Sequence, residues 1–255
     1  MQLVDTHLHL YAEEFHDDRK QVIDAAIQNG VTKILLPNID SSTVYSMLQL
    51  CHDYPENCFP MMGLHPCYVN DTYEKELKQV EAELRSGKYY GVGEIGMDKH
   101  WDLTHIAEQT KALTKQLIWA YEMELPVALH TRNCTADVIA IIQELNIKGL
   151  KGIFHCFGGT YDEAQQIIDM GMYLGIGGVV TFKNSGLDEI IKNVDLKNIV
   201  LETDGPYLAP VPFRGKRNQP AYITHVAEKI ADLKHISLEE VATTTTANAV
   251  TLFGL

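Results

Sequence analysis

The chain has 255 residues, 45% of them hydrophobic and 22% charged, a balance that suits a globular protein with a sizeable core. Its apolar runs fall well short of the roughly 20 residues a membrane span needs, so no membrane partner is expected. A net charge of -13 excludes a protein that coats long nucleic acid through a broad basic surface. It leaves room for a phosphate substrate held locally by metal ions and a few placed cations.

In chain order, short apolar strands alternate with longer helical segments. Strands are expected at Leu3–Asp5, Lys33–Leu36, Phe59–Gly63, Gly91–Glu94, Val127–His130, Gly152–His155, Tyr173–Ile176 and Ile199–Glu202. Helices are expected at Glu13–Asn29, Ser41–Asp53, Thr72–Arg85, His105–Met123, Asn133–Asn146, Tyr161–Met170, Leu187–Asn193 and Tyr222–Leu233. In the fourth helix Ile106, Thr110, Leu113, Leu117 and Ala120 form one stripe. A last helix opens on the capping box Ser237-Leu238-Glu239-Glu240. This alternation predicts a single (β/α)8 TIM-type barrel with an extra C-terminal helix, one domain over residues 1–255. A doubly wound open sheet is the structural alternative. The first strand opens at residue 3, leaving no room for a signal peptide, so the expected location is cytoplasmic.

The five cysteines, Cys51, Cys58, Cys67, Cys134 and Cys156, are odd in number and contain no Cys-x-x-Cys. They argue against a disulfide framework or a thiolate zinc site.

Chemistry-bearing residues gather where barrel strands end, the place where such barrels build active sites. Asp5, His7 and His9 alternate along the first strand and so share a face. Two imidazoles on one face can grip a divalent cation, with a carboxylate such as Asp5 orienting one from behind. His65 closes the third strand, Glu94 the fourth, His130 the fifth and His155 the sixth, while Glu202 and Asp204 end the eighth. Several histidines with two carboxylates suit zinc, manganese or a similar ion, and are enough for two ions sharing a carboxylate. Any one of these histidines alone is more often a core or loop residue than a ligand. His16, His52, His100, His105, His225 and His235 lie on helices or loop edges and are read as surface or packing residues. Gly91-Val92-Gly93-Glu94-Ile95-Gly96 matches a dinucleotide fingerprint, but no acid stands about 20 residues on at the end of the next strand. Cations cluster at Arg214, Lys216 and Arg217 after the last strand, with Arg132 and Lys183 on the same rim, as a phosphate or carboxylate grip.

These residues resemble the TatD family of metal-dependent deoxyribonucleases, within the amidohydrolase-like barrels. The matching blocks are Asp5-Thr6-His7-Leu8-His9, Gly63-Leu64-His65-Pro66, Gly93-Glu94-Ile95-Gly96-Met97-Asp98 and Pro126-Val127-Ala128-Leu129-His130-Thr131-Arg132. They continue through His155-Cys156-Phe157-Gly158-Gly159, Glu202-Thr203-Asp204-Gly205-Pro206-Tyr207-Leu208, Arg214-Gly215-Lys216-Arg217-Asn218 and Asn248-Ala249 with Leu252-Phe253. The resemblance implies a hydrolase with two divalent ions, magnesium, manganese or zinc. His7 and His9 would hold one ion, His130 and His155 the other, with Glu94 as the bridge. Asp204 would bind metal and act as general base, and Asp5 and Glu202 would support the ligands. His65, Arg132, Lys216, Arg217 and Asn218 would position phosphate. Lys99-His100 and Gly205 depart from the family pattern, where an aromatic and a serine are usual, and bear on specificity.

The expectation is therefore a metal-dependent phosphodiesterase acting on DNA, from an end, with no obligate protein partner. The enzyme alternative is hydrolysis of an ester, amide or lactone, including the aminoacyl ester of a transfer RNA. Barrels of that kind commonly carry a lysine where Glu94 stands. A metal-loaded scaffold without turnover is the remaining alternative.

Overall fold

A computed structural model describes residues 1–101 and 103–255 of the chain. Among them eight strands alternate with helices: β1 (Leu3–Asp5), β2 (Val31–Pro37), β3 (Cys58–Met61), β4 (Val92–Asp98), β5 (Val127–Arg132), β6 (Gly152–Phe154), β7 (Tyr173–Ile176) and β8 (Ile199–Leu201). Every ladder is parallel, in two arcs ordered β1-β2-β3 and β4-β5-β6-β7-β8. Two seams join the arcs into a (β/α)8 barrel. Met62 bridges Val92 in parallel, and Thr6 donates both its N–H (3.0 Å) and its Oγ1 hydrogen (2.9 Å) to Leu201 O.

One residue stitches the first seam. Asn38, fully buried just past β2, donates its backbone N–H toward Met61 O and Gly93 O and its Nδ2 hydrogens to Gly63 O and Asp40 O. Its own carbonyl accepts the Glu94 N–H at 3.1 Å. A buried amide satisfied on this many sides fixes where β4 runs, and therefore where Glu94 points.

The helices are α1 (Arg19–Gln28), α2 (Val44–Asp53), α3 (Tyr73–Ser86), α4 (Ile106–Glu122), α5 (Thr135–Leu145), α6 (Tyr161–Asp169), α7 (Leu187–Asn193), α8 (Ile223–Lys234) and α9 (Leu238–Phe253). The expected first helix is divided. A 3-10 turn at Glu13–Phe15 buries Phe15, and α1 starts at Arg19, whose guanidinium donates to the carbonyls of Leu10, Tyr11 and Ala12. β4 also runs four residues past its expected end at Glu94, to Asp98. That extension passes Gly96 at φ 145, where a Cβ would lie 2.0 Å from His130 O, so only glycine lets β4 and β5 approach there.

Apolar side chains divide between two clusters. One fills the space between strands and helices, from Leu3 through Ala242. The other lies inside the barrel, where Val4, Leu35, Met61, Ala128, Ile153 and Val200 meet Ala249, Leu252 and Phe253 of α9. α9 thus stoppers one end, anchored by Asn248 Nδ2, which donates to Leu196 O and Ile199 O, and by Ser237, which caps its first turn. Burying Leu252 and Phe253 contributes about 1.5–3 kcal/mol each. With that end closed by hydrocarbon, the polar cluster collects at the other.

α4 does more than pack. Its buried face carries Gln109 and Gln116 besides Leu113, Leu117 and Ala120. Gln109 Oε1 accepts the Asp98 N–H at 2.9 Å, and Gln116 Oε1 accepts the Leu64 N–H at 2.7 Å. The two amides tie the loop after β3, which carries His65, and the end of β4 at Asp98 to one rigid helix.

Candidate active site

Glu94 lies at the centre, 1% exposed, with five imidazoles around its carboxylate. The imidazoles divide between its two oxygens. Oε2 faces His7 Nε2 at 3.0 Å and His9 Nε2 at 3.2 Å. Oε1 faces His130 Nδ1 at 2.8 Å, His155 Nε2 at 2.9 Å and His65 Nε2 at 3.2 Å. Across the division the His7 and His155 rings stack, centroids 3.8 Å apart. Burial by itself would push the Glu94 carboxyl up, and it is held well below the usual range by positive charge on His65, His155 and His7 when these rings are protonated.

What stands behind each ring decides which nitrogen is free. Tyr11 donates its hydroxyl hydrogen to Pro37 O, so its oxygen is left to accept from His9 Nδ1 at 3.0 Å. That places the His9 proton on Nδ1 and a lone pair on Nε2, facing Glu94. Asp98 Oδ2, 2.8 Å from His130 Nε2, draws the proton there and leaves Nδ1 bare toward Glu94. Glu202 Oε1 lies 3.5 Å from His155 Nδ1, and that buried nitrogen has no hydrogen-bond partner among the described residues. Two rings thus present lone pairs to one buried carboxylate, an arrangement that needs cations between them.

This donor set fits divalent metal. His7, His9 and Glu94 form one group whose ligand atoms lie within 4.8 Å of one another; Glu94, His130 and His155 form a second, and His7, His155 and Asp204 a third. Nitrogen and carboxylate donors at these positions suit zinc or manganese. His65, Cys67 and His130 also cluster, but His65 Nδ1 already accepts the Cys67 N–H at 3.1 Å. In the neutral ring the proton is then on Nε2, which makes His65 a hydrogen-bond donor to the site rather than a ligand.

Asp204 sits at φ 57, its N–H donating to His7 O at 2.9 Å and its Oδ1 4.0 Å from His9 Nε2. Burial raises its carboxyl to about 6. Asp5 lies behind this strand end, its carboxyl pushed up to about 8 by burial. It accepts from the backbone N–H of His7 and from both N–H and Oγ1–H of Thr203, so it braces two chain segments and orients no ring. Glu202 Oε1 accepts the Cys156 N–H at 2.6 Å, and its Oε2 is buried without a partner.

The cluster forms the floor of a cleft of about 1410 Å³, which also exposes Tyr68, Trp101, Arg132, Tyr207, Arg214 and Lys216. Among the described residues Arg132, Arg214 and Lys216 make no ion pair, so their charges face the cleft uncompensated. The structure places the other two residues of the basic run elsewhere. Arg217 grips Asp18 through Nη1 (2.9 Å) and Nη2 (2.6 Å) and lies over Phe15. Asn218 is fully buried and donates to Thr203 O at 2.6 Å, holding the segment before Asp204. Lys183, also expected on this rim, does not line the cleft. Three site residues escaped the sequence reading: Asp98, Tyr11 and Asn38. For Asp98 the signal was present, because Glu94, Gly96 and Asp98 share a face once β4 is extended.

The barrel and its Glu94-centred histidines define a metal-dependent hydrolase. The chain belongs to the TatD-related DNase family, whose model matches residues 4–254. It is 37% identical over 254 residues to the uncharacterized metal-dependent hydrolase YabD of Bacillus subtilis, covering 99% of both chains. It is 30% identical over 259 residues to the 3'-5' ssDNA/RNA exonuclease TatD of Citrobacter koseri, again covering 99% of both. The crystal structure of YjjV, a TatD homologue from Escherichia coli, superposes with a TM-score of 0.93 at 28% identity, over 99% of this chain and 98% of that one. Among the described residues no helix is long and apolar enough to cross a membrane.

Proposed function

We propose that the protein hydrolyses phosphodiester bonds at the ends of single-stranded DNA or RNA, using two divalent ions that Glu94 and the histidines around it would hold. The observation that carries this reading is the division of Glu94, Oε2 toward His7 and His9, Oε1 toward His130 and His155. One relative in the family is named as a 3'-5' exonuclease of single-stranded DNA and RNA, which supports the substrate.

His7, His9 and Asp204 would hold one ion and His130 and His155 the other. When bound, such ions supply Lewis acidity, lowering the pKa of water and polarising a phosphoryl oxygen. The remaining work falls to the chain's own groups. Asp204, at the mouth of the cluster, takes the proton from the attacking water. His65 Nε2–H donates to a non-bridging phosphate oxygen, where negative charge builds in the transition state. Arg132, Arg214 and Lys216 hold the flanking phosphates, compensating locally for a chain of net charge -13. Asp5, Glu202 and Asn218 keep the strand ends in register.

The test is a substrate panel of single-stranded DNA, single-stranded RNA, duplex DNA, carboxylic esters and lactones, with defined metals added after chelation. Cleavage of single strands with release of mononucleotides is expected, restored by magnesium, manganese or zinc. Turnover confined to esters or lactones overturns the reading.

A further inference from the structure

Trp101 is an indole that packing does not explain. It is 70% exposed and opens onto the cleft, whereas Trp119 packs against the core from α4. Arg132 lies over its ring, with Cζ 5.2 Å from the centroid. Arg132 is the second residue beyond His130 on β5, about 7 Å further along the strand. The loop that carries the indole is fixed from beneath. Asp98 Oδ1 accepts the N–H of His100 at 2.7 Å and of Trp101 at 2.9 Å, while its other oxygen holds His130 at 2.8 Å. One buried carboxylate therefore sets both an imidazole of the metal cluster and the backbone that carries the indole on the rim.

We propose that Trp101 with Arg132 is a nucleobase-stacking subsite beside the metal centre, and that it favours strands with unstacked bases over base-free phosphodiesters. The inference rests on the phosphodiesterase reading above. A flat π-face under a guanidinium accepts any base, because each base has a π-face of its own and arginine adds a cation–π attraction. Bases inside a duplex are already stacked on one another, so the subsite discriminates against duplex without reading sequence. The other arginine–aromatic pair of the cleft, Arg214 over Phe182, offers less, since Phe182 is partly buried.

The experiment compares a short oligothymidylate with an abasic strand of the same length, for the metal-loaded wild type, Trp101→Ala and Trp101→Phe. The preference of wild type for the base-bearing strand, as a ratio of kcat/KM values, should fall about tenfold in Trp101→Ala, the loss of one base–aromatic stack. Most of it should return in Trp101→Phe. A second arm follows tryptophan emission with a phosphorothioate strand that resists cleavage. The base-bearing strand should quench wild type, the abasic strand should not, and Trp101→Phe, which retains Trp119, should respond to neither. Equal losses on both strands, or unaltered preference in Trp101→Ala, overturn the subsite. Should wild type cleave neither strand, the phosphodiesterase reading fails by itself, and the emission arm still decides the subsite: selective quenching sustains it and no quenching removes it.

Discussion

Asp98 stands directly behind His130, with Oδ2 2.8 Å from Nε2, while Nδ1 of the same ring is 2.8 Å from Glu94 Oε1. Carboxylates placed this way fix the tautomer of a metal-binding imidazole and raise its basicity. Asp98→Ala should therefore weaken metal affinity about 10–100-fold. Competition against a chelating dye measures it, and an affinity equal to wild type would remove Asp98 from the metal site.

Asp204 and Glu202 are close in sequence but differ in surroundings. Asp204 faces the cleft, whereas Glu202 is fully buried and holds the Cys156 N–H. Asp204→Asn preserves shape and removes basicity, so turnover should fall by about 10²–10⁴-fold with the fold intact. Glu202→Gln should cost less turnover. Steady-state rates with circular dichroism on both variants check this, and full activity in Asp204→Asn would assign the proton acceptor elsewhere.

The basic run should separate into two behaviours. Lys216→Ala and Arg214→Ala should raise KM for single strands, and each should flatten the salt dependence by about 0.7 in logarithmic slope. Arg217→Ala should act on stability instead, because it loses the Asp18 pair and the Phe15 contact. The hydrogen bond from Arg217 holds the Asp18 carboxyl below its ordinary range. A carboxylate with a depressed folded pKa stabilises above its unfolded value, near about 3.9, and that contribution fades as pH falls through and below it. The melting-temperature gap between wild type and Arg217→Ala should be widest near neutrality and narrow in acid. A gap that widens in acid would contradict the pairing.

Removing metal should loosen the whole barrel mouth, since five imidazoles converge there on one carboxylate. Each of two ions at a hundred times its dissociation constant adds about 2.7 kcal/mol, so chelation should lower the melting temperature by about 10–20 °C. Scanning calorimetry before and after chelation gives the shift, and mass spectrometry of the native protein should count two ions per chain.

Much of this architecture is legible in local pattern. β1, β7 and α7 fall where apolar runs and periodicity place them. His7 and His9, Glu94, His130 and His155 come from four different strands to one point because a parallel barrel delivers every strand end to the same face. The boundaries that moved have local causes: the split of the first helix follows from Arg19 capping three carbonyls, and the length of β4 from the glycine at 96.

What local pattern leaves undecided is direction, meaning which atom of a residue meets which partner. Nothing near Arg217 in the chain announces Asp18, 199 residues away, and a run of Arg214, Lys216 and Arg217 looks equally basic whichever way each side chain turns. The free nitrogen of His130 depends on Asp98, 32 residues earlier, and that of His9 on a tyrosine hydroxyl turned toward Pro37. The types of group that can bind metal, and the strands that carry them, were set by residue identity and spacing. Their protonation, orientation and division about Glu94 were set only by the closed barrel, because hydrogen bonds and Coulomb forces act between atoms brought together in space, whatever their separation along the chain.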